Sequence, residues 1–285
     1  MRIAATGLTG LVGSSLQHDL LEMDWVPFDR SSGVDLLQLD SIDAASSQLE
    51  AELFLHCAAF TNVNKAWEDR GNKEGDVWRL NVDATEKLLQ LAEQKNIPFV
   101  FISTAFVFDG EKQGLYLEED LPHPIEWYGE TKHEAERLVQ AYEKGVIVRI
   151  DQPFRYDLFP KKPDNLHLMV QKLKDGTLHP PFSDHFFSPT NLHDLARYMR
   201  WIFNNPSKNI YHASSNRSIS DFELARMIQD FYAIPGEIQE GSLRSYLETS
   251  SRPYQKNTAL SSEKIIKASG IQPSSLEDAL GQLVL

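Results

Sequence analysis

The feature that most constrains the fold of this 285-residue chain is a glycine-rich segment near its N-terminus. The segment joins a β-rich run, Arg2–Thr6, to a helical pattern over Leu11–Leu21. Glycine removes the Cβ atom where the chain turns tightly, where a pyrophosphate approaches the backbone, and where a helix packs closely on a strand. The helix N-terminus then presents unpaired N–H groups to the phosphates. We therefore predict a dinucleotide-binding strand–turn–helix unit whose cofactor contacts are Gly7, Thr9, Gly10, Leu11, Val12 and Gly13.

Beyond this unit, short β-rich runs alternate with amphipathic stretches. Leu53–Ala58 is a continuous apolar run bounded by polar residues, as expected of a strand buried on both faces. Strands that alternate with helices form a parallel sheet with helices on both faces. The predicted fold class is therefore α/β, a doubly wound, Rossmann-like parallel sheet. Its further strands are predicted at Trp25–Phe28, Phe99–Ser103 and Gly145–Ile150, and its further helices at Asn81–Gln94 and Tyr128–Tyr142.

The character of the sequence changes at about Pro153. Prolines break the following chain into short pieces, and the strict alternation of strands and helices is lost. Two helical stretches, Leu192–Phe203 and Ser220–Tyr232, are still readable there. This pattern predicts a first domain of about 150 residues and a smaller, irregular second one.

Charge and cysteine content exclude several classes of protein. There are 28 basic and 41 acidic side chains, so the formal net charge is −13. This excess of carboxylates repels nucleic-acid phosphate and anionic lipid, so we expect neither as a partner. Cys57 is the single cysteine, which rules out an intrachain disulfide, and no apolar run is long enough for a membrane span. The nine histidines show no clustered ligand spacing, so we expect no metal site. The charge, the single cysteine and the lack of a long apolar run together predict a soluble, cytoplasmic protein.

The end of the second predicted strand carries two residues that bear on coenzyme choice. Asp29 lies about 20 residues beyond the glycine turn, where an acidic side chain hydrogen-bonds the adenosine ribose 2′-hydroxyl. That position favours NAD. Arg30 follows directly and could hold the 2′-phosphate of NADP. The sequence leaves the choice between NAD and NADP open.

A tyrosine and a lysine lie four residues apart on a predicted helix. Tyr128 and Lys132 therefore share one face of that helix, with adjacent side chains. An ammonium beside a phenol stabilises the phenolate and lowers the pKa of the tyrosine, which suits general acid–base catalysis. Thr104 directly follows the apolar strand Phe99–Ser103, and the carboxyl ends of parallel strands line the ligand crevice. Its hydroxyl can donate a hydrogen bond to a substrate carbonyl oxygen, so the three residues predict an acid–base site.

The whole pattern resembles the extended short-chain dehydrogenase/reductase family, and within it the dTDP-4-dehydrorhamnose reductase group. The resemblance covers nearly the whole chain. The string that ends in Val-Phe-Asp-Gly, at residues 107–110, is its most discriminating part. The matching segments are Thr6–Gly13, Ala58–Ala66, Asn81–Thr85, Ser103–Gly110, Tyr128–Lys132 and Arg252–Leu260.

The resemblance implies an NAD(P)-dependent oxidoreductase of carbohydrate biosynthesis. NADP or NAD would give a hydride to the C4 ketone of a nucleotide-linked 4-keto sugar, as in dTDP-rhamnose synthesis, and Tyr128 would be the general acid. Lys132 would hold the nicotinamide ribose, and Thr104 would polarise the ketone. The resemblance further implies cofactor contacts at Cys57, Ala58, Ala59, Phe60 and Asn81, and substrate contacts at Ala105, Phe106, Phe154 and Arg155.

The resemblance also implies how the chain divides. A returning segment at about 187–212 would join residues 1–151 in an NAD(P)-binding Rossmann domain. Residues 152–186 and 213–285 would form a smaller, irregular α/β substrate-binding domain. Extended reductases often pair through two helices of the first domain, so a homodimer is a further expectation.

Departures from the group's pattern keep other functions open. Reductases of this group usually read Ser-Thr-Asp-Tyr-Val-Phe-Asp-Gly, whereas this chain has Ala105 and Phe106 within that string. Both changes remove polar groups beside the carbonyl site, and lost hydrogen bonds weigh heavily in specificity. The regulatory β subunit of methionine adenosyltransferase resembles the same group, so a non-catalytic NAD(P)-binding regulatory subunit is the alternative. Another sugar-nucleotide reductase or epimerase of the extended family is a third possibility.

Overall fold

A parallel sheet of six strands forms the centre of the molecule, in a computed structural model that describes residues 1–159, 161 and 163–285. The described chain has strands both in this sheet and outside it. In chain order they are β1 (Arg2–Thr6), β2 (Asp24–Pro27), β3 (Leu53–His56), β4 (Phe99–Thr104), β5 (Gly145–Ile150), β6 (Pro153–Phe154), β7 (Phe186–Phe187), β8 (Thr190–Asn191), β9 (Asn209–His212) and β10 (Ile219–Ser220). The order across the central sheet is β2-β1-β3-β4-β5-β9, and every neighbouring pair in it is parallel. Two small sheets pair β6 with β8 and β7 with β10. The predicted doubly wound parallel sheet is confirmed.

Helices connect these strands. They are α1 (Leu11–Asp19), α2 (Leu39–Ser46), α3 (Val63–Glu68), α4 (Asp76–Trp78), α5 (Ala84–Lys95), α6 (Trp127–Ala141), α7 (Asn165–Lys174), α8 (Leu192–Asn204), α9 (Asp221–Phe231), α10 (Leu243–Leu247), α11 (Glu263–Ser269) and α12 (Leu276–Gln282). Local sequence explains several of their ends. Ser220 and Glu223 form a capping box at the start of α9, and Asn96 ends α5 in the left-handed conformation that asparagine tolerates.

The elements differ from the sequence-based expectation at a few boundaries. The strand predicted to end at Ala58 ends at His56, because the chain there leaves the sheet to pass the glycine turn. The helix predicted over Asn81–Gln94 begins with a π-helical turn, Arg79–Asp83, before α5 continues it. The pattern also missed β9, an edge strand of four residues that pairs with β5.

Apolar side chains cover both faces of the central sheet. On one face, α1 and α8 contribute Leu16, Met199 and Phe203 to a cluster with the inward-facing residues of the strands. On the other face, α5 and α6 contribute Leu88 and Val139. This two-sided burial explains why the central strands read as continuous apolar runs.

A third apolar cluster lies apart from the sheet. It joins α7, α9 and α12 through side chains that include Leu166, Ile228 and Leu280. The segment with α8 and β9, in contrast, belongs to the central sheet and its cover. The domain boundaries at residues 151, 187 and 212 stay a prediction.

Among residues 1–159, 161 and 163–285, no helix is both long and apolar enough to cross a bilayer. The same ranges contain no group of three or more His, Cys, Asp or Glu side chains placed to hold a metal ion.

Candidate active site

The glycine turn between β1 and α1 leaves no room for larger side chains. Gly7 has φ of 69°, and a Cβ atom there would lie 2.6 Å from the backbone nitrogen of Ala58. A Cβ atom on Gly13 would lie 2.3 Å from the carbonyl oxygen of Gly7. None of the described side chains caps α1, which starts after Gly10. Gly10, Leu11, Val12 and Gly13 line a cleft, so the uncapped start of α1 is suited to bind a pyrophosphate.

A cleft of about 540 Å³ runs from this turn across the carboxyl ends of β3, β4 and β5 to α6. A smaller cavity of about 330 Å³ adjoins it, shares Gly7, Thr9 and Ala58 with it, and contains Asp29 and Arg30. The structure thus brings most of the predicted residues to one continuous space. Those that line the larger cleft are Gly7, Thr9, Gly10, Leu11, Val12, Gly13, Cys57, Ala58, Ala59, Thr104, Phe106, Tyr128 and Lys132.

Tyr128 and Lys132 enter the cleft from the first turns of α6. The ring of Tyr128 packs edge-on against Phe106, with 5.9 Å between the ring centroids. Lys132 is buried; its Nζ donates to the carbonyl oxygen of Ile102 at 2.8 Å and lies 3.8 Å from the centre of the Phe101 ring. Thr104 ends β4 on the same side of the cleft. The three side chains predicted to form an acid–base site therefore line the same part of the cleft.

Burial dominates the electrostatics of this pair. It lowers the pKa of Lys132 to about 7, although the carboxylate of Glu136 opposes the change. Burial and the nearby carboxylate of Glu126 raise the pKa of Tyr128 above its usual value, while a hydrogen bond with Thr104 opposes them. The prediction that Lys132 lowers the pKa of Tyr128 is therefore wrong for this structure, because loss of hydration disfavours the buried phenolate. A raised pKa keeps Tyr128 protonated and ready to donate a proton.

Glu126 is a buried neighbour of Tyr128 that the sequence reasoning missed. Its side chain is fully buried at the N-terminus of α6, where it accepts from the backbone nitrogens of Tyr128 at 2.9 Å and Gly129 at 2.7 Å. Burial raises the pKa of Glu126 to about 7. The available clue was an acidic residue two positions before the tyrosine, in the place of a helix cap.

Asp151 was also missed. It follows β5, lines the cleft, and is almost fully buried. Its Oδ2 accepts from the nitrogen of Ser188 at 3.0 Å and from the hydroxyl of Thr258 at 2.8 Å. Burial raises the pKa of Asp151 to about 7. No signal in the sequence pointed to it, since its partners are distant in the chain.

Asn81 and Phe60 stand behind the cleft and line neither cavity. Asn81 accepts from the nitrogen of Phe60 at 2.7 Å and donates to the hydroxyl of Thr131 at 2.9 Å. It thereby ties the segment after β3 to α6. Direct cofactor contact at these two residues stays a prediction.

Three of the four residues expected to contact substrate do not line the larger cleft. Thr104 is followed by a short 3₁₀ helix. In that helix, Ala105 packs in an apolar cluster with Val107 and Leu260, whereas Phe106 lines the cleft. Phe154 is buried in the cluster of α7 and α9. Arg155 is buried as well; its guanidinium donates to Asp157 and, at 2.9 Å, to the hydroxyl of Ser14. Of this set, Phe106 is the residue that lines the described cleft, and substrate contact at Ala105, Phe154 and Arg155 stays a prediction.

His56 and Cys57 are not candidates for acid–base work. His56 is buried between the hydroxyls of Thr6, at 2.6 Å, and Thr85, at 3.0 Å, and burial lowers its pKa to about 3. Burial raises the pKa of the Cys57 thiol to about 12, which leaves it unreactive at neutral pH.

Comparison with known proteins gives consistent matches over the full chain. A family described as the RmlD substrate binding domain matches residues 1–285. The chain is 27% identical to dTDP-4-dehydrorhamnose reductase of Aggregatibacter actinomycetemcomitans, covering 98% of this chain and 97% of that protein. It is 28% identical to methionine adenosyltransferase 2 subunit beta of Pongo abelii, covering 82% of this chain and 73% of that protein. A crystal structure of dTDP-4-dehydrorhamnose reductase from Bacillus anthracis in complex with NADP shares the fold, with a TM-score of 0.87, 24% identity, and coverage of 99% of this chain and 98% of that one.

Proposed function

The chain belongs to the RmlD substrate binding domain family, and on that premise we propose that it is an NAD(P)H-dependent reductase of a nucleotide-linked 4-keto sugar. The observation that carries the proposal is one cleft that holds both the glycine turn and the set of Thr104, Tyr128 and Lys132. The relative named dTDP-4-dehydrorhamnose reductase, which this chain covers almost completely, supports the sugar class. The NADP-bound neighbour supports the coenzyme class.

The chain's own residues divide the work of such a reaction. The glycine turn and the first N–H groups of α1 would hold the pyrophosphate of the coenzyme, and Lys132 would hold its nicotinamide ribose. A bound nicotinamide coenzyme supplies the hydride. Thr104 would donate a hydrogen bond to the ketone oxygen, and Tyr128 would give its phenolic proton to the alkoxide that forms there. Hydride at carbon and proton at oxygen together complete the reduction of the ketone to an alcohol.

A specific observation also favours a second candidate. The chain is similar to methionine adenosyltransferase 2 subunit beta over most of its length, and Phe106 presents an apolar ring beside Tyr128. Tight coenzyme binding without turnover, together with a stable complex with a partner protein in a pull-down, would support this regulatory role. A catalytically active chain without a stable partner would contradict it.

The first experiment follows NADH and NADPH oxidation with and without dTDP-4-dehydro-6-deoxy-L-mannose. We expect sugar-dependent oxidation that Tyr128→Phe reduces by about 10²- to 10⁴-fold, with coenzyme affinity unchanged. Tyr142→Phe is the matched control, because that phenol caps the far end of α6 and donates to the carbonyl of Ile97. Full turnover by Tyr128→Phe would refute the proposed mechanism.

A further inference from the structure

Gln152 is held in a backbone conformation that its side chain does not favour. It follows β5 with φ of 40°. This is the left-handed region, which glycine adopts readily and which is energetically unfavourable for most other residues. Within the described chain, the other non-glycine residues of positive φ are Asn96, Asn216 and Ala233, and none of them lines the cleft. Strain of this kind collects at functional sites. A glutamine at a position whose conformation favours glycine indicates that the Gln152 side chain has a role.

The side chain of Gln152 is paired with a second amide in the cleft. Asn165, the first residue of α7, donates from Nδ2 to Oε1 of Gln152, and both residues line the cleft that holds Tyr128. The pair leaves both N–H groups on Nε2 of Gln152, the second N–H group on Nδ2 of Asn165, and the carbonyl oxygen Oδ1 of Asn165 free of this mutual bond. If both amides were rotated, the roles would exchange, and N–H donors beside one carbonyl acceptor would still remain.

We infer that the Gln152–Asn165 amide pair binds a ring hydroxyl of the substrate sugar, an inference that rests on the proposed function. A hydroxyl donates and accepts at once, so it matches an amide donor set beside a carbonyl acceptor. A methyl group makes neither bond. A phosphate oxygen accepts only, so it would leave Oδ1 of Asn165 without a donor. The substrate class is therefore a keto sugar that keeps a hydroxyl where the amide pair reaches it.

The inference predicts discrimination between sugars that differ by one oxygen. Wild-type protein should show kcat/KM about tenfold to hundredfold higher for the fully hydroxylated dTDP-linked 4-keto sugar than for its 2-deoxy or its 3-deoxy analogue. Gln152→Gly and Asn165→Ala should each lose that preference, and the double variant should lose no more than either one. Gln171→Ala is the control, because this exposed amide lies farther along α7 and does not line the cleft.

Gln152→Gly also separates recognition from a structural role. It relieves the left-handed strain, so its melting temperature should equal or exceed that of wild type while the preference is lost. A variant that keeps the wild-type preference against both analogues would overturn the inference. Loss of discrimination between NADH and its 3-acetylpyridine analogue, with sugar preference intact, would overturn it too, because the pair would then hold the coenzyme carboxamide.

Binding measurements keep this inference distinct from the proposed function. Calorimetric titration of the coenzyme-loaded protein with dTDP-rhamnose and its deoxy analogues gives the same preference without turnover. A chain that binds with the preference and shows no reduction would fail the proposed function and support the amide pair. A chain that binds none of these sugars would overturn both.

Discussion

At the scale of single residues, the charges of the smaller cavity bear on the proposed choice of coenzyme. Asp29 lines the smaller cavity. Its Oδ1 accepts a hydrogen bond from the backbone nitrogen of Ser31 at 2.9 Å, which holds the carboxylate in place. Arg30 lies beside it but its guanidinium is paired with Asp35. The expected ribose end of the cleft therefore contains the carboxylate of Asp29 and the guanidinium of Arg30, which is already paired with Asp35.

Removal of the Asp29 charge should change coenzyme preference. Asp29→Asn keeps an oxygen that accepts from Ser31 and removes the repulsion of a 2′-phosphate, so the ratio of kcat/KM for NADPH to that for NADH should rise about tenfold. Steady-state kinetics with the two coenzymes measure it. Asp40→Asn, an exposed carboxylate of α2, is the control. An unchanged ratio would show that Asp29 does not face the ribose.

Glu126 should make stability depend on pH. Its carboxyl has a pKa near 4.5 when exposed and about 7 in the folded protein, so the folded state favours the protonated form. Stability from this group is complete below about pH 4.5 and is lost as the pH rises toward 7, by about 3 kcal/mol in all. Glu126→Gln does not titrate, so its unfolding free energy relative to wild type should increase by about 2–3 kcal/mol between pH 5 and pH 8.

Denaturant titration at both pH values checks this difference. The loss of one acceptor oxygen in Glu126→Gln contributes equally at each pH and cancels. Glu130→Gln, an exposed neighbour on α6, should show little such change. A difference that does not vary with pH would mean that the buried carboxyl keeps its ordinary pKa.

At the scale of elements, α6 carries the proposed acid–base pair, and the position of this helix is set by close backbone packing. Gly129 follows Tyr128 and lets the helix approach the segment after β4: a Cβ atom there would lie 2.2 Å from the carbonyl oxygen of Phe106. The same atom would lie 2.9 Å from Oε1 of Glu126. The helix cannot hold a larger residue at this point without moving Tyr128.

Gly129→Ala should therefore harm both stability and activity. We expect a loss of about 1–3 kcal/mol in unfolding free energy, together with a lower kcat, because the helix must shift away from Phe106. Gly281→Ala in α12 is the matched control, since its Cβ atom would meet Phe231 at an ordinary 3.6 Å. That control should be neutral or stabilising by about 0.5–1 kcal/mol. Equal behaviour of the two variants would contradict the packing argument.

At the scale of the whole molecule, one buried ion pair joins the helix of the site to the far edge of the sheet. Arg149 of β5 donates to Glu136 of α6 at 2.9 and 2.7 Å, and both side chains are fully buried. The same guanidinium lies 3.3 Å from Nε2 of His212 on β9. The pair also keeps the Glu136 carboxylate one helical turn beyond Lys132.

Arg149→Met should destabilise the protein by about 3–5 kcal/mol, because it leaves Glu136 charged, buried and alone. The double variant Glu136→Leu/Arg149→Met removes both charges and should recover most of that loss. Unfolding free energies of wild type and the three variants, including Glu136→Leu alone, form a double-mutant cycle. Additive effects would show that the two side chains do not depend on each other.

The sequence by itself determined the sheet, the glycine turn and the shared helical face of Tyr128 and Lys132. These follow from local rules: apolar runs mark strands buried on both faces, close packing at the turn requires glycine, and helical spacing brings Tyr128 and Lys132 to one face. The family followed from the same segments.

Only the tertiary structure decided which neighbours share the cleft and what burial does to them. Asp151 meets Ser188 and Thr258, and Gln152 meets Asn165, through contacts that no local pattern encodes. Ala105 and Phe154 pack in two separate apolar clusters, a placement that depends on neighbours distant in the chain. The raised pKa of Tyr128 reversed a sequence-based expectation for the same reason: hydration depends on the whole fold and cannot be read from spacing along one helix.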